Sequence, residues 1–401
     1  MTNSAIIRAT IETALVSLPA ALDPYARTMR ALGRLALGDT VAVVAIGKAA
    51  RAMANAAKDT LGSRMAGGVL VAPDADPLGG FKVHVGSHPL PDHASAEAAR
   101  AALALAERND HEHLLVLVSG GGSAMAEAPR RPLDVETVAD ITDRLLRAGT
   151  PIDELNLVRR HLSDIKNGGL SGRSKVPVTT LVISDVIDGP PSMVASGPTL
   201  EDGSKALQAL AVIERRLGRP VPQPVHTALA TAVSRRPNEE VVMVADRHTA
   251  YAELAHRLAA SGLDPAQPIR LEGEAAAMAV AMVAMPGLVI GTGESTVVVT
   301  GQGAGGRNQH GALAAALAID STDAVFGALG TDGVDGPTDA AGAVVDGTTA
   351  ARIRAGGIDP VTALADCDSH HALDAAAALI RTGPTGTNVA DVWVSYRPAT
   401  R

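Results

Sequence analysis

Leu114-Leu115-Val116-Leu117-Val118-Ser119-Gly120-Gly121-Gly122-Ser123-Ala124-Met125 sets the reading of the whole chain. A continuous apolar run of strand length predicts a strand buried on both faces in a parallel sheet, with a loop leaving its carboxyl end. In open α/β sheets, ligands collect in the crevice at those ends. Glycines without Cβ let backbone N–H groups approach an anion, and Ser119 and Ser123 add hydroxyl donors. Taken alone, the loop fits either a tight strand-to-helix turn or a site for phosphate or carboxylate oxygens.

Working outward, the same alternation recurs. Residues 40–46 read as a buried strand, and Gly47-Lys48-Ala49-Ala50 opens an alanine-rich helix to residue 61. Strands are expected at 68–72 and 178–183, with a helix from Asp92 or Ser95 to 107. Residues 4–38 are helical, broken between Pro19 and Pro24. After a stretch rich in Pro and Arg, a second alternation begins. It has strands at 241–245, 288–290, 296–300, 324–329 and 391–396, and helices at 249–261, 274–285 and 309–319. The pattern predicts an α/β fold: a doubly wound parallel-sheet N-terminal domain over 1–238 and a smaller α/β domain over 239–401.

Composition narrows the function. The 401 residues suffice for two cores, and 46% hydrophobic with 19% charged residues is a globular balance. A net charge of −8 and 1% aromatic residues argue against nucleic acid, which needs a basic surface and stacking rings. The single cysteine, Cys367, suits a reducing compartment, and the N-terminus lacks a signal-peptide pattern, so a cytoplasmic location is expected. The apolar stretch 275–290 is too short to span a bilayer and contains Pro286.

Several further loops carry chemistry. Gly47-Lys48 fails the Walker pattern but leaves a lysine at a strand-to-helix junction, where an anion would neutralise it. Gly301-Gln302-Gly303-Ala304-Gly305-Gly306 fits the dinucleotide fingerprint literally. Ser184-Asp185-Val186-Ile187-Asp188-Gly189 and Gly330-Thr331-Asp332-Gly333-Val334-Asp335-Gly336 place carboxylates at strand ends, where they can hold Mg²⁺ or take a hydroxyl proton. The loop Ala195-Ser196-Gly197-Pro198-Thr199 and the loop 382–388, ending in Asn388, are rich in oxygen-binding groups. The pairs His111/His113 and His370/His371 lack zinc-site spacing, whereas His88 and His161 sit in more distinctive loops.

Together these segments resemble the glycerate 2-kinase family, some members of which carry the label hydroxypyruvate reductase in tartrate operons. The matching blocks run in family order from Gly47-Lys48 through His88-Pro89-Leu90-Pro91-Asp92, residues 119–124 and Asn156–Lys166. They continue through Ser184-Asp185-Val186, 195–199, Gly273-Glu274, Gly293-Glu294-Ser295-Thr296, 303–309, 331–343 and 382–391. The resemblance implies a two-domain enzyme with its active site in the cleft between the domains. It implies transfer of the ATP γ-phosphoryl to the 2-hydroxyl of D-glycerate, with Mg²⁺, giving 2-phosphoglycerate and ADP. Carried over by motif, Lys48, Asp185 and Arg307 are the expected catalytic residues. Ser119, Gly120, Gly121, Gly122, Ser123, Ser196, Gly197 and Thr199 are the expected phosphate and nucleotide contacts. His88, Arg159, Lys166, Glu294, Asn308, Asp332 and Asn388 are expected around the substrate, and Asp185 with Asp188 at the metal. The chain departs from the family pattern at Asp188-Gly189, which shifts a carboxylate by one position, and at Asn167, His310 and His370.

Three functions follow. The first is a phosphotransferase acting on a small hydroxy acid, whose partners are that acid and ATP, with no nucleic acid or membrane and with a homodimer as an open option. The second is an NAD(P)-dependent hydroxypyruvate or hydroxy-acid reductase, motivated by the fingerprint at Gly301. The third is a catalytically weakened binding protein, motivated by the departures.

Overall fold

The computed structural model describes residues 3–218, 220–231, 240–264 and 268–398. The chain forms two compact units, Pro24–Val244 and a smaller one made of Met1–Asp23 with Ala245–Arg401. The domain boundary expected at residue 238 lies outside the described residues.

The larger unit is built on six strands: β1 (Val41–Ile46), β2 (Met65–Ala72), β3 (Phe81–Val85), β4 (His113–Val118), β5 (Val178–Ile183) and β6 (Glu240–Ala245). Their order is β3-β2-β1-β4-β5-β6, and the pairings from β3 to β5 are parallel. Every residue of β1, β4 and β5 is buried, which is why these strands read as unbroken apolar runs. From β1 the chain winds outward to β3, then returns to place β4 on the other side of β1. The strand order therefore reverses between β1 and β4, where the topology opens a crevice at the carboxyl ends. A second core in this unit is built mainly from helices. It joins Val135–Arg147, Ile152–His161, Ala206–Leu217 and Gln223–Ala230 through Leu145, Leu155, Val158, Ile213 and Val225.

The smaller unit carries β7 (Ile269–Glu274), β8 (Gly287–Thr296), β9 (Val325–Gly330), β10 (Gly342–Asp346), β11 (Leu379–Ile380) and β12 (Asp391–Arg397), ordered β11-β10-β9-β12-β8-β7. This sheet is mixed: β7–β8 is parallel and the other pairings are antiparallel. The separate strand expected at 296–300 does not form. One strand runs from Gly287 to Thr296 and stops where its pairing with β7 ends, leaving Val298 and Val299 74% and 72% exposed.

The N-terminal helix Asn3–Ala21 is long and apolar enough to cross a membrane by length and composition. In the fold, Ile11 and Leu15 on this helix are fully buried, and a Cβ added at Gly327 in β9 would come within 2.6 Å of Leu15 Cδ1. It is a core helix of the smaller unit. Pro19 sits within its last turn, so the break falls at Leu22-Asp23 and Pro24 starts the next helix, Pro24–Leu32.

Candidate functional site

Register builds the site in the larger unit. Ile46 pairs with Val118, and Val118 with Val182, so β1, β4 and β5 end level with one another. Their three following loops, Gly47-Lys48, Ser119–Ser123 and Ser184-Asp185, therefore leave the sheet side by side. The backbone stitches the first two together: Ser119 N donates to Ile46 O (3.0 Å), Lys48 N to Gly120 O (2.9 Å) and Ala49 N to Ser119 Oγ (3.0 Å). This approach leaves no room for a side chain at Gly47, whose φ is +122° and whose added Cβ would lie 2.4 Å from Ser119 Oγ.

The glycines of the loop form a cradle with a different occupant on each side. A Cβ at Gly120 would fall 2.0 Å from Asp185 Oδ2, and one at Gly121 would fall 3.1 Å from Lys48 Cγ. A Cβ at Gly122 would meet Ala195 Cβ at 2.7 Å, so the loop 195–199 packs behind the cradle. Ser123 and Ser196 join their hydroxyls at 2.6 Å. Thr199 is buried, its hydroxyl 2.8 Å from that of Thr180, and Gly197 O accepts from Gly168 N at 2.8 Å. Thr199 and Gly197 thus brace the loop.

Positive charge gathers here. Lys48 is exposed and makes no ion pair among the described residues. His88 titrates below its usual 6.5, pushed down first by desolvation, then by the charges of Lys48 and Arg159. Arg159 is buried, donates to Pro89 O (2.9 Å), and is itself pushed down by burial. Lys166 is fully enclosed and pairs with Glu127, with Ala126 O and Ser163 Oγ each at 3.4 Å. Asp185 is partly buried and Asp188 is exposed. Cations gathered around a glycine-rich loop at strand ends are chemistry suited to an anion.

The smaller unit assembles a second cluster by the same device. Asp391 pairs with Gly293 of β8 and with Gly330 of β9, so Glu294, Asp391 and the Thr331-Asp332 turn sit at adjacent strand ends. Arg307, the first residue of the helix Arg307–Ala318, donates from Nη1 to Glu294 Oε1 (2.6 Å) and from Nη2 to Asp391 Oδ1 (3.1 Å). Asp391 is buried and its carboxyl is pushed up to about 6, by burial above all. Asn308 is buried with both ends of its amide engaged: Nδ2 donates to Asp335 and Asp391, and Oδ1 accepts from Trp393 Nε1 (2.7 Å). The loop bearing exposed Asn388 joins the Asp332 turn through Thr385 N to Asp332 O (3.1 Å) and Val389 N to Thr331 Oγ1 (3.1 Å).

The dinucleotide fingerprint is consumed internally. Asp335, from another loop, accepts from the backbone N–H of Asn308 (3.1 Å) and Gln309 (2.8 Å), filling the helix N-terminus where a pyrophosphate would sit. Added Cβ atoms at Gly301, Gly303, Gly305 and Gly306 would each lie within 2.4 Å of Asp366, Asp368, Ser369 and Asp335 respectively. Close packing within the protein accounts for these glycines.

Residues 3–230 match the family described as "Domain of unknown function (DUF4147)", and residues 287–391 match the MOFRL family. The D-glycerate 2-kinase of Thermotoga maritima is 36% identical, over 88% of this chain and 90% of its own. The chain belongs to the glycerate kinase family. The crystal structure of a glycerate kinase from Thermotoga maritima superposes with a TM-score of 0.92 at 33% identity, covering 98% of this chain and 99% of that one. A relative from Agrobacterium vitis named putative hydroxypyruvate reductase is 35% identical over 93% of this chain and 90% of its own.

Within this family framework, two departures acquire physical reasons. Asn167 has φ +51°, a left-handed position that Asn tolerates in place of Gly. His370 Nδ1 lies 2.9 Å from Gln309 Oε1 and so helps hold Gln309 on Asp335. Sequence reasoning missed Glu127 and Asp391, and it placed Asp335 in an acidic strand-end loop without its role as an internal cap. Asp391 opens an expected strand, a detectable signal; the partners of Glu127 and Asp335 lie 39 and 26 residues away, which no local pattern shows.

Proposed function

We propose that the chain is an ATP-dependent kinase that phosphorylates the 2-hydroxyl of D-glycerate, giving 2-phosphoglycerate and ADP. The observation that carries this reading is the similarity to a D-glycerate 2-kinase across 88% of the chain. The cation-flanked glycine cradle at the β1/β4 switch point supports it.

Phosphoryl transfer through a loose transition state needs charge neutralisation and alignment more than covalent chemistry. Lys48, without a carboxylate partner among the described residues, supplies positive charge beside the backbone N–H groups at the start of the helix Gly122–Met125. Asp185, held against Gly120, is the group to orient the hydroxyl and accept its proton. Arg307 is already neutralised by Glu294 and Asp391, so it would recognise the substrate carboxylate by exchanging the exposed Glu294.

Among the described residues no three His, Cys, Asp or Glu side chains gather as a metal set. Mg²⁺ fits the oxygen donors of Asp185 and Asp188, because it is held by one or two carboxylates plus waters and substrate phosphates. When bound, it neutralises phosphate oxygen charge. The same reading puts the enzyme in the cytoplasm, with ATP and a small hydroxy acid as its partners and a homodimer as its assembly.

The name of the Agrobacterium vitis relative favours a hydroxypyruvate reductase as the second reading; the Asp335-filled helix terminus argues against it. ADP release with D-glycerate, and product position by phosphorus NMR, test the kinase. A 3-phosphate product overturns the regiochemistry. NADH oxidation with hydroxypyruvate, without ADP release from glycerate, overturns the kinase, and ligand-dependent stabilisation without either reaction points to a binding protein.

A further inference from the structure

The helix Pro24–Leu32 carries Arg27 and Arg30, and the turn after it carries Arg34. Gly33 N donates to Met29 O (3.0 Å) and Arg34 N to Ala31 O (3.1 Å), so the helical path continues through Arg34. Spacing of i, i+3 and i+7 places the three guanidinium groups on one face. They line a groove of about 400 Å³ whose opposite wall is β6, with Val242 and Val244 as apolar surface and Glu240 as the one acidic residue among its walls.

The local charge runs against the chain as a whole. The net charge is −8, yet residues 24–38 contain three arginines and no Asp or Glu. Among the described residues the side chains of Arg30 and Arg34 make no ion pair or hydrogen bond. Like charges on neighbouring helical turns repel, and an anion between them removes that cost. The planar guanidinium fork matches phosphate oxygens in pairs.

The groove also occupies a particular place in the chain path. Pro24 directly follows the first passage of the chain between the two compact units, and Val244 directly precedes the second. A ligand touching both walls therefore spans the segments flanking both passages. We propose that this groove binds a small phosphate-bearing anion, of the charge of a diphosphate, as a regulatory site. Lys48 and the glycine cradle are not among its walls.

The test is calorimetric titration of inorganic pyrophosphate into the full-length protein, the R30A/R34A variant and the K48A variant. The wild type should show two classes of site. R30A/R34A should lose one of them, with affinity there reduced by roughly tenfold or more per guanidinium removed, and should retain kinase turnover without effector. K48A should keep the class that R30A/R34A loses. Both arginines are exposed, so thermal unfolding of the double variant should match the wild type. An R30A/R34A isotherm indistinguishable from wild type, or loss of all pyrophosphate binding in K48A, overturns the proposal.

Discussion

The Asp335 carboxylate sits 2.8 Å from the backbone N–H of Gln309, capping from a distant loop the helix that follows the glycine run at 301–306. That contact turns a nucleotide motif into a structural joint. Asp335 is buried and desolvation pushes its pKa up, while four N–H donors from Asn308 and Gln309 oppose that shift. Asp335→Ala leaves those donors without an acceptor and should cost about 1–3 kcal/mol or more, read by denaturant unfolding. Unchanged stability would show that water replaces the cap.

Gly120 and Gly122 should separate activity from stability. Gly120→Ala drives a methyl into the Asp185 carboxylate, which can swing away, so turnover should fall roughly 100-fold through misalignment while the melting temperature changes little. Gly122→Ala meets Ala195 Cβ at 2.7 Å and Ile46 Cγ2 at 3.0 Å, both fixed in the core. It should cost about 1–3 kcal/mol by overpacking. Equal loss of stability in both variants would dissolve the distinction.

If the proposed mechanism holds, Lys48→Ala should lower turnover by roughly 100- to 1000-fold, through lost transition-state charge, and leave unfolding unchanged, because the side chain is exposed. Near-normal turnover would remove Lys48 from the mechanism.

His88 gives a pH signature. Its pKa lies below the usual 6.5, so the folded state binds fewer protons there than the unfolded chain. Its contribution to stability is therefore lost as pH falls below 6.5 toward the folded value. A phosphate bound beside Lys48 and Arg159 should draw the pKa back up. Anion affinity should then rise on acidification through that range, with proton uptake visible in buffer-dependent calorimetry. In Lys48→Met the His88 pKa, followed by NMR, should move up; an unmoved value would separate the two residues.

Asp391 has the opposite sign. Its carboxyl is raised to about 6, so its stabilising contribution is complete at pH below 4 and declines as pH rises through 6. The stability difference between wild type and Asp391→Asn should vary over that window and be flat above it. A carboxyl carbon titrating near 4 would contradict the effect of burial.

Much of the larger unit was legible in the chain itself. Strands buried on both faces leave unbroken apolar runs, and loops at their ends show as glycine and serine, so 114–125 announced both a buried parallel strand and the glycine loop that follows it. Local spacing likewise exposed Lys48 and the carboxylates at strand ends. Periodicity says nothing about which loops become neighbours. Level strand ends brought Asp185 to Gly120 and Lys48 to Gly121; a mixed sheet brought Asp391 to Arg307. Burial chose the Lys166–Glu127 pair, because a charge taken from water must find its counter-charge wherever the fold supplies one. The sequence by itself determined the elements and the chemistry available at their ends; tertiary register decided which groups meet, since side-chain contacts across a sheet depend on strand order and alignment, which no local pattern encodes.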